Sequence, residues 1–264
     1  MSQPATSSAG IDAGSTTVKL AGLGADGDLL WQLVEPTEPK LGKQVADLIE
    51  RAGQLAGTSL ANIPVVATGY GRNLVPGNRR KVTEITCHAR GAWSEFGHGG
   101  TLVDIGGQDS KVIVIDSSGA VKNFVMNDKC AAGTGRFLEV AAARLRIDLD
   151  EMGKVALATG GEVSISSTCT VFAESEIVSL IARGHPVDEI VRGLTRSLVR
   201  RVSALARSAG LAPPVMLSGG VANNPAVGEF LGEELECKVA LPAEPQLTGA
   251  IGAALIALDG HKAS

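Results

Sequence analysis

Asp12-Ala13-Gly14-Ser15-Thr16-Thr17-Val18-Lys19-Leu20 and Asp104-Ile105-Gly106-Gly107-Gln108-Asp109-Ser110-Lys111-Val112 align without gaps, with Asp, Gly and Lys at matching offsets. An internal repeat outranks any single motif as a guide to fold. Each copy is entered by apolar residues. Each is followed by a β-rich run with its own turn, Gly24 to Gly27 after the first and Asp116 to Gly119 after the second. Each copy therefore reads as a β-hairpin that opens a lobe, and the chain as an α/β protein of two related lobes.

Working outward, helical periodicity spans Lys43 to Leu55 and Thr83 to Phe96, with a β-run at Pro64 to Ala67 between them. His98-Gly99-Gly100 is a natural joint, because consecutive small residues absorb changes of backbone angle. Beyond the second hairpin the pattern is helical over Gly133–Leu145, Phe172–Arg183 and Pro186–Ser208. A β-run at Pro214 to Leu217 then meets Ser218-Gly219-Gly220-Val221-Ala222-Asn223-Asn224, and a last helix spans Gln246 to Leu258. This reading divides the chain into a first lobe (1–98), a second lobe carrying the cysteines of interest (99–245), and a C-terminal helix (246–264) packing back on the first lobe.

A chain of 264 residues with 44% hydrophobic and 20% charged residues can bury a substantial core, and 33 glycines imply many unusual backbone positions. A net charge of −4 with 3% aromatics argues against nucleic-acid binding, which needs a basic face and rings for bases to stack on. Met1 to Gly10 lack the basic and apolar regions of a secretory signal. The longest apolar run, Ala250 to Leu258, is broken by Gly252 and is far short of the roughly 20 residues of a membrane span. The expectation is a cytosolic chain with no membrane anchor.

A tight glycine turn between strands gathers backbone N–H groups into a concave donor cluster suited to phosphate oxygens. Two such turns can grip one triphosphate. Ser15, Thr16, Thr17 and Gln108 add side-chain donors, while Asp12, Asp104 and Asp109 suit a magnesium ion held through water, or an attacking water. Lys19 and Lys111 either reach phosphate or sit as surface lysines. Gly219 and Gly220 directly follow a strand and permit close approach of a flat ring or sugar, with Asn223-Asn224 placed to cap the next helix. No Walker P-loop or Rossmann fingerprint occurs. The set resembles the superfamily of sugar kinases, actin and heat-shock chaperone ATPases, which implies a two-lobed ATPase fold with duplicated β-hairpin phosphate turns and a central nucleotide cleft.

Of four cysteines, Cys87 and Cys237 read as core thiols. Cys130 and Cys169 each precede a helical pattern, where the positive end of the dipole favours a thiolate. Iron–sulfur clusters take four thiolates, so one chain supplies half a set and a twofold axis would supply the rest. Buried, unreactive thiols are the competing reading. His88, His98, His185 and His261 are scattered and read as structural or exposed.

Gly10 to Thr16, Ala67 to Asn73, Val103 to Asp109, Asn127 to Phe137, Ser166 to Ser175 and Ser218 to Asn223 together resemble the activators (component A) of 2-hydroxyacyl-CoA dehydratases, a family that includes the ATP-binding subunits of benzoyl-CoA reductase. The resemblance spans Gly10 to Leu258 and leaves Met1 to Ala9 unexplained. It implies that Cys130 and Cys169 ligate one [4Fe-4S] cluster bridging a homodimer. It implies nucleotide and Mg2+ contacts from Gly14, Ser15, Thr16, Thr17, Lys19, Gly106, Gly107, Gln108, Asp109, Gly133, Gly219, Gly220, Val221 and Asn223, with Asp12, Asp104 and Gln108 catalytic. It implies an electron donor, ferredoxin or flavodoxin, and an iron–sulfur dehydratase or reductase as acceptor. A benzoyl-CoA reductase component, a double-cubane cluster reductase, a small-molecule kinase and an ATP-switched scaffold are the alternatives.

Overall fold

The computed structural model describes residues 5–262 apart from 78, 167 and 168. The chain begins β1 (Ser8–Ala13), β2 (Thr17–Leu23), β3 (Leu29–Pro36), α1 (Leu41–Ala56), β4 (Val65–Thr68), β5 (Arg80–Lys81) and α2 (Glu84–Phe96). It continues β6 (Gly100–Ile105), β7 (Ser110–Ile115), β8 (Val121–Asn127), α3 (Gly135–Leu145), α4 (Met152–Ala158), α5 (Thr170–Ala182) and α6 (Val187–Ser208). It closes with β9 (Val215–Ser218), α7 (Pro225–Leu235), β10 (Val239–Ala240) and α8 (Thr248–Lys262). Two compact units result: residues 1–99, 115–121 and 246–264 in the first, and 100–114 and 122–245 in the second.

The sheet of the first unit has the order β3-β2-β1-β4-β5, and the other sheet has the order β10-β9-β6-β7-β8. Read from β8, the second order is the first one again, with β6 in the place of β1 and β9 in the place of β4. In each sheet the strand that precedes the glycine turn is flanked by its hairpin partner and by a parallel strand, β4 or β9. The repeat seen in nine residues thus extends over five strands per sheet.

In the first unit, alternation along β1 decides what each face meets. Ala9, Ile11 and Ala13 join Val45, Leu48 and Ala52 of α1 in one core. The opposite face carries Gly10, where an added Cβ would lie 2.0 Å from the Ala250 carbonyl oxygen of α8. α8 lies equally close to α2: a Cβ at Gly252 would stand 1.8 Å from the Cys87 carbonyl oxygen, and one at Gly91 would stand 2.2 Å from that of Thr248. Small residues let these backbones meet. Gly252→Ala is therefore expected to lower stability by about 1–3 kcal/mol or more, since backbone must shift to admit the methyl. A melting temperature equal to wild type would refute this packing.

The core of the second unit gathers Phe137, Leu198, Val215 and Phe230 between its sheet and helices α3, α4, α6 and α7. Asn224 caps α7 by accepting from Ala226 N–H at 3.1 Å, with Pro225 at the first helical position. Among the described residues no helix is long and apolar enough to cross a membrane.

Candidate functional site: two glycine hairpins and a cysteine turn

The two hairpins close identically. Gly14 N–H donates to the Thr17 carbonyl at 3.1 Å, and Gly106 N–H donates to the Asp109 carbonyl at 2.9 Å. The glycine amides are thus consumed by the turns. The donors left over come one and two residues later: the amides of Ser15, Thr16, Gly107 and Gln108 have no hydrogen-bond partner among the described residues. Such successive unpaired N–H groups form an anion nest. The Thr16 hydroxyl, buried and without a partner among the described residues, adds a donor to the first nest. Ser15 and Gln108 are exposed.

The aspartate that opens each hairpin pairs with the lysine seven residues on. Lys19 Nζ lies 3.3 Å from Asp12 Oδ2, and Lys111 Nζ lies 3.5 Å from Asp104 Oδ2. Lys111 is not a surface lysine: it is 3% exposed and also bonds Asp109 at 2.7 Å. Two carboxylates offset the cost of burying its charge. Asp104 is further held by the Ser218 hydroxyl, which donates to Oδ1 at 2.7 Å. Asp104 is thus bound on both oxygens, whereas Asp12 is held by Lys19 on one.

The register explains Ser218. It sits opposite Asp104 in the β6–β9 pair, as Thr68 sits opposite Asp12 in the β1–β4 pair. Each is followed by a glycine with positive φ, Gly69 at 92° and Gly219 at 89°. A Cβ at Gly69 would lie 2.6 Å from Asp12 Oδ1, and one at Gly219 would lie 2.3 Å from the Ile105 carbonyl oxygen. Thr68-Gly69 and Ser218-Gly219 are therefore a second repeated pair that sequence reading missed; its signal was a hydroxyl residue plus glycine at the end of an apolar strand. Gly220 is exposed with open space where a Cβ would point, Val221 is buried, and Asn223 is exposed.

The cysteines differ in setting. Cys169 is the N-cap residue of α5 and half-buried, with Val171 and Phe172 just beyond it 70% and 68% exposed. Its motif, Ser166 to Ser175, includes 167 and 168, which lie outside the described residues. Ser166 donates to Glu176 from both its amide and its hydroxyl, tying the cysteine segment to the helix it opens. Cys130 is exposed and stands not at the start of α3 but one turn before it, ahead of a 3-10 turn over Ala131–Gly133. Extended Thr134 separates that turn from α3. The first amides of α3 do not face Cys130 either: Gly135 and Arg136 donate to the carbonyls of Gly106 and Gly107, each at 2.8 Å. Cys169 therefore stands at the N-terminus of an α-helix, whereas Cys130 does not.

Arg201 of α6 brings positive charge near Cys130, and its Nη1 reaches the Ala132 carbonyl at 3.4 Å and the Ser197 hydroxyl at 2.9 Å. Burial pushes this guanidinium below its ordinary value, and the nearby Cys130 works against that. A cavity of about 570 Å³, lined by Ser110, Cys130, Gly133 and Arg201 among others, opens beside the thiol. Gly133 belongs to this turn, since a Cβ there would meet Asn127 Nδ2 at 3.1 Å. Among the described residues no three His, Cys, Asp or Glu side chains gather into a metal site within one chain.

Cys87 is fully buried, and desolvation pushes its thiol up to about 12 from 9.0. A folded value above the unfolded one stabilises the protein below the unfolded value, so this contribution is lost from about pH 9 upward. Stability is expected to fall there by up to about 1.4 kcal/mol per pH unit. Cys87→Ala should remove that component of the slope; an unchanged slope would refute the assignment.

Two sheets of one topology, each with an Asp-Gly hairpin that opens an anion nest, define an ATPase of the actin-like fold. Residues 9–257 match the BadF/BadG/BcrA/BcrD ATPase family, and the chain belongs to that family. It is 46% identical over 200 residues to the 2-hydroxyisocaproyl-CoA dehydratase activator of Clostridioides difficile, covering 76% of this chain and 75% of that protein. It is 41% identical over 252 residues to the activator of lactoyl-CoA dehydratase of Anaerotignum propionicum, covering 95% and 96%. The solved activator of the 2-hydroxyisocaproyl-CoA dehydratase from Clostridium difficile with bound ADPNP superposes with a TM-score of 0.90 at 40% identity, covering 97% of this chain and 96% of that one.

Proposed function

We propose that this ATPase is the activator of a 2-hydroxyacyl-CoA dehydratase, working in the cytosol as a homodimer that passes a low-potential electron to its partner enzyme. The observation that carries the reading is a pair of free thiols, one exposed and one at a helix N-cap, in the same unit as the second phosphate turn. Cys130 and Cys169 would supply two of the four thiolates such a site needs, and a second copy the other two. They would hold a [4Fe-4S] cluster, which when bound supplies one-electron redox chemistry. Exposed Val171 and Phe172, directly after Cys169, suit a surface covered by another protein.

On this reading the amides of Ser15, Thr16, Gly107 and Gln108, with the hydroxyls of Ser15, Thr16 and Thr17, bind ATP phosphates. Gly14, Gly106 and Asp109 shape the two turns, and Lys19 holds Asp12. Gly219, Gly220, Val221 and Asn223 form the adenosine side. Asp12, with one oxygen beyond Lys19, is the better carboxylate for water on Mg2+, while Asp104 anchors Ser218 and Lys111. Gln108 orients the attacking water. A reduced ferredoxin or flavodoxin is the donor. The kinase alternative loses support because Asp104, the base it would need, is held on both oxygens.

Iron and acid-labile sulfide, measured on protein purified without oxygen, test the reading. Equimolar iron and sulfide in a dimer support it; colourless, iron-free, monomeric protein overturns it.

A further inference from the structure

Gly135 is where the three functional motifs of the second unit meet. Its amide bonds the Gly106 carbonyl of the phosphate turn, and the next amide, of Arg136, bonds Gly107. A Cβ on Gly135 would stand 3.1 Å from Val221 Cγ2, 3.2 Å from the Gly106 carbonyl oxygen and 3.2 Å from Gly107 Cα. There is no slack at this junction.

From Gly135 back to Cys130 the chain is braced throughout. Thr134 is fully buried and closes the 3-10 turn on the Ala131 carbonyl with its amide at 3.0 Å and its hydroxyl at 2.8 Å. Asn127 holds Cys130 at both ends, donating to its carbonyl at 2.8 Å and accepting from its amide at 3.2 Å. Arg201 supports Ala132 from below. Phe137, 1% exposed, anchors the far side, its amide bonding the Thr134 carbonyl at 3.1 Å. Tightly packed segments of this kind shift between discrete arrangements and do not deform smoothly.

We infer that Gly135 is a positioning residue that transmits the state of the Gly106–Gly107 phosphate turn to the Cys130 turn. The inference rests on the proposal that this turn binds ATP phosphates. A ligand shifts such an equilibrium only through different affinity for the two arrangements, and the carbonyls of Gly106 and Gly107 are the point at which that difference would enter.

The test is hydrogen exchange by mass spectrometry on the full chain, comparing ADP with ADPNP. In wild type, exchange in peptides covering 127–134 is expected to differ about fivefold between nucleotides, at the low end of coupling between two sites. In Gly135→Ala, whose methyl must displace one of three neighbours, that difference is expected to shrink below about twofold, while affinity for each nucleotide stays within about threefold. A purely structural role would change exchange alike in both states and preserve the ratio, which overturns the inference. If the variant does not fold, the amides of Gly135 and Arg136 in wild type decide: protection that is the same with both nucleotides overturns it, and protection that changes with the nucleotide supports it. Absence of iron would sink the cluster assignment alone, because this readout is independent of metal.

Discussion

A Cys130→Ser variant purified without oxygen is expected to emerge colourless, with iron reduced to background, and to bind ATP as wild type does. The thiol is exposed and, on the proposed reading, supplies one of four thiolates, so losing one ligand per chain would remove two of four in a dimer. Serine fits the turn without strain, because the contacts that hold residue 130 are backbone contacts to Asn127. The nests at Ser15–Thr16 and Gly107–Gln108, proposed to hold the phosphates, use no cysteine, so binding is expected to survive. Iron content, visible absorbance and nucleotide titration read the three results. Retained iron in this variant would remove Cys130 as a ligand.

Asp12→Asn is expected to lower the rate of ATP hydrolysis by about 10²–10⁴-fold, the range for losing a positioned carboxylate that handles a reacting proton or its water. Asp12 is 4% exposed at the end of the all-buried strand β1, beside the first nest. Its asparagine analogue has the same shape, so the unit should fold. Lys19, its partner at 3.3 Å, is part-exposed and can turn to water. Asp104→Asn is the informative contrast. There the lost charge faces Lys111, 3% exposed, and a buried Ser218 hydroxyl, so a stability loss accompanies any rate loss. Hydrolysis at the wild-type rate in Asp12→Asn, with iron content normal, would contradict the assignment of the catalytic carboxylate.

Much of the fold was legible because its signals are local. The helix expected over Lys43 to Leu55 is α1, Leu41–Ala56, and the one expected over Thr83 to Phe96 is α2, with Thr83 as its cap accepting from Thr86 N–H. Apolar spacing and capping residues carry such segments without help from the rest of the chain. α4 escaped notice because seven residues are too few to establish a helical period. The placement of Cys130 at a helix start also failed: small residues signal a turn, yet Thr134 takes an extended conformation, and the helix begins only where Gly106 and Gly107 accept its first amides.

The nine-residue repeat alone determined that the chain has two related hairpins and hence two related sheets, since Asp, Gly and Lys at fixed offsets dictate a turn and its flanking strands. What the tertiary structure decided is where each polar group is spent. Lys111 turns inward because two carboxylates meet there. Thr68-Gly69 matches Ser218-Gly219 only through strand register, and Gly135 touches Gly106 and Val221 only because α3 starts where two loops converge. Those relations join residues as far apart as Asp104 and Ser218, and no local spacing encodes them. They exist only once strands pair and the packed interior fixes which partners each buried polar group meets.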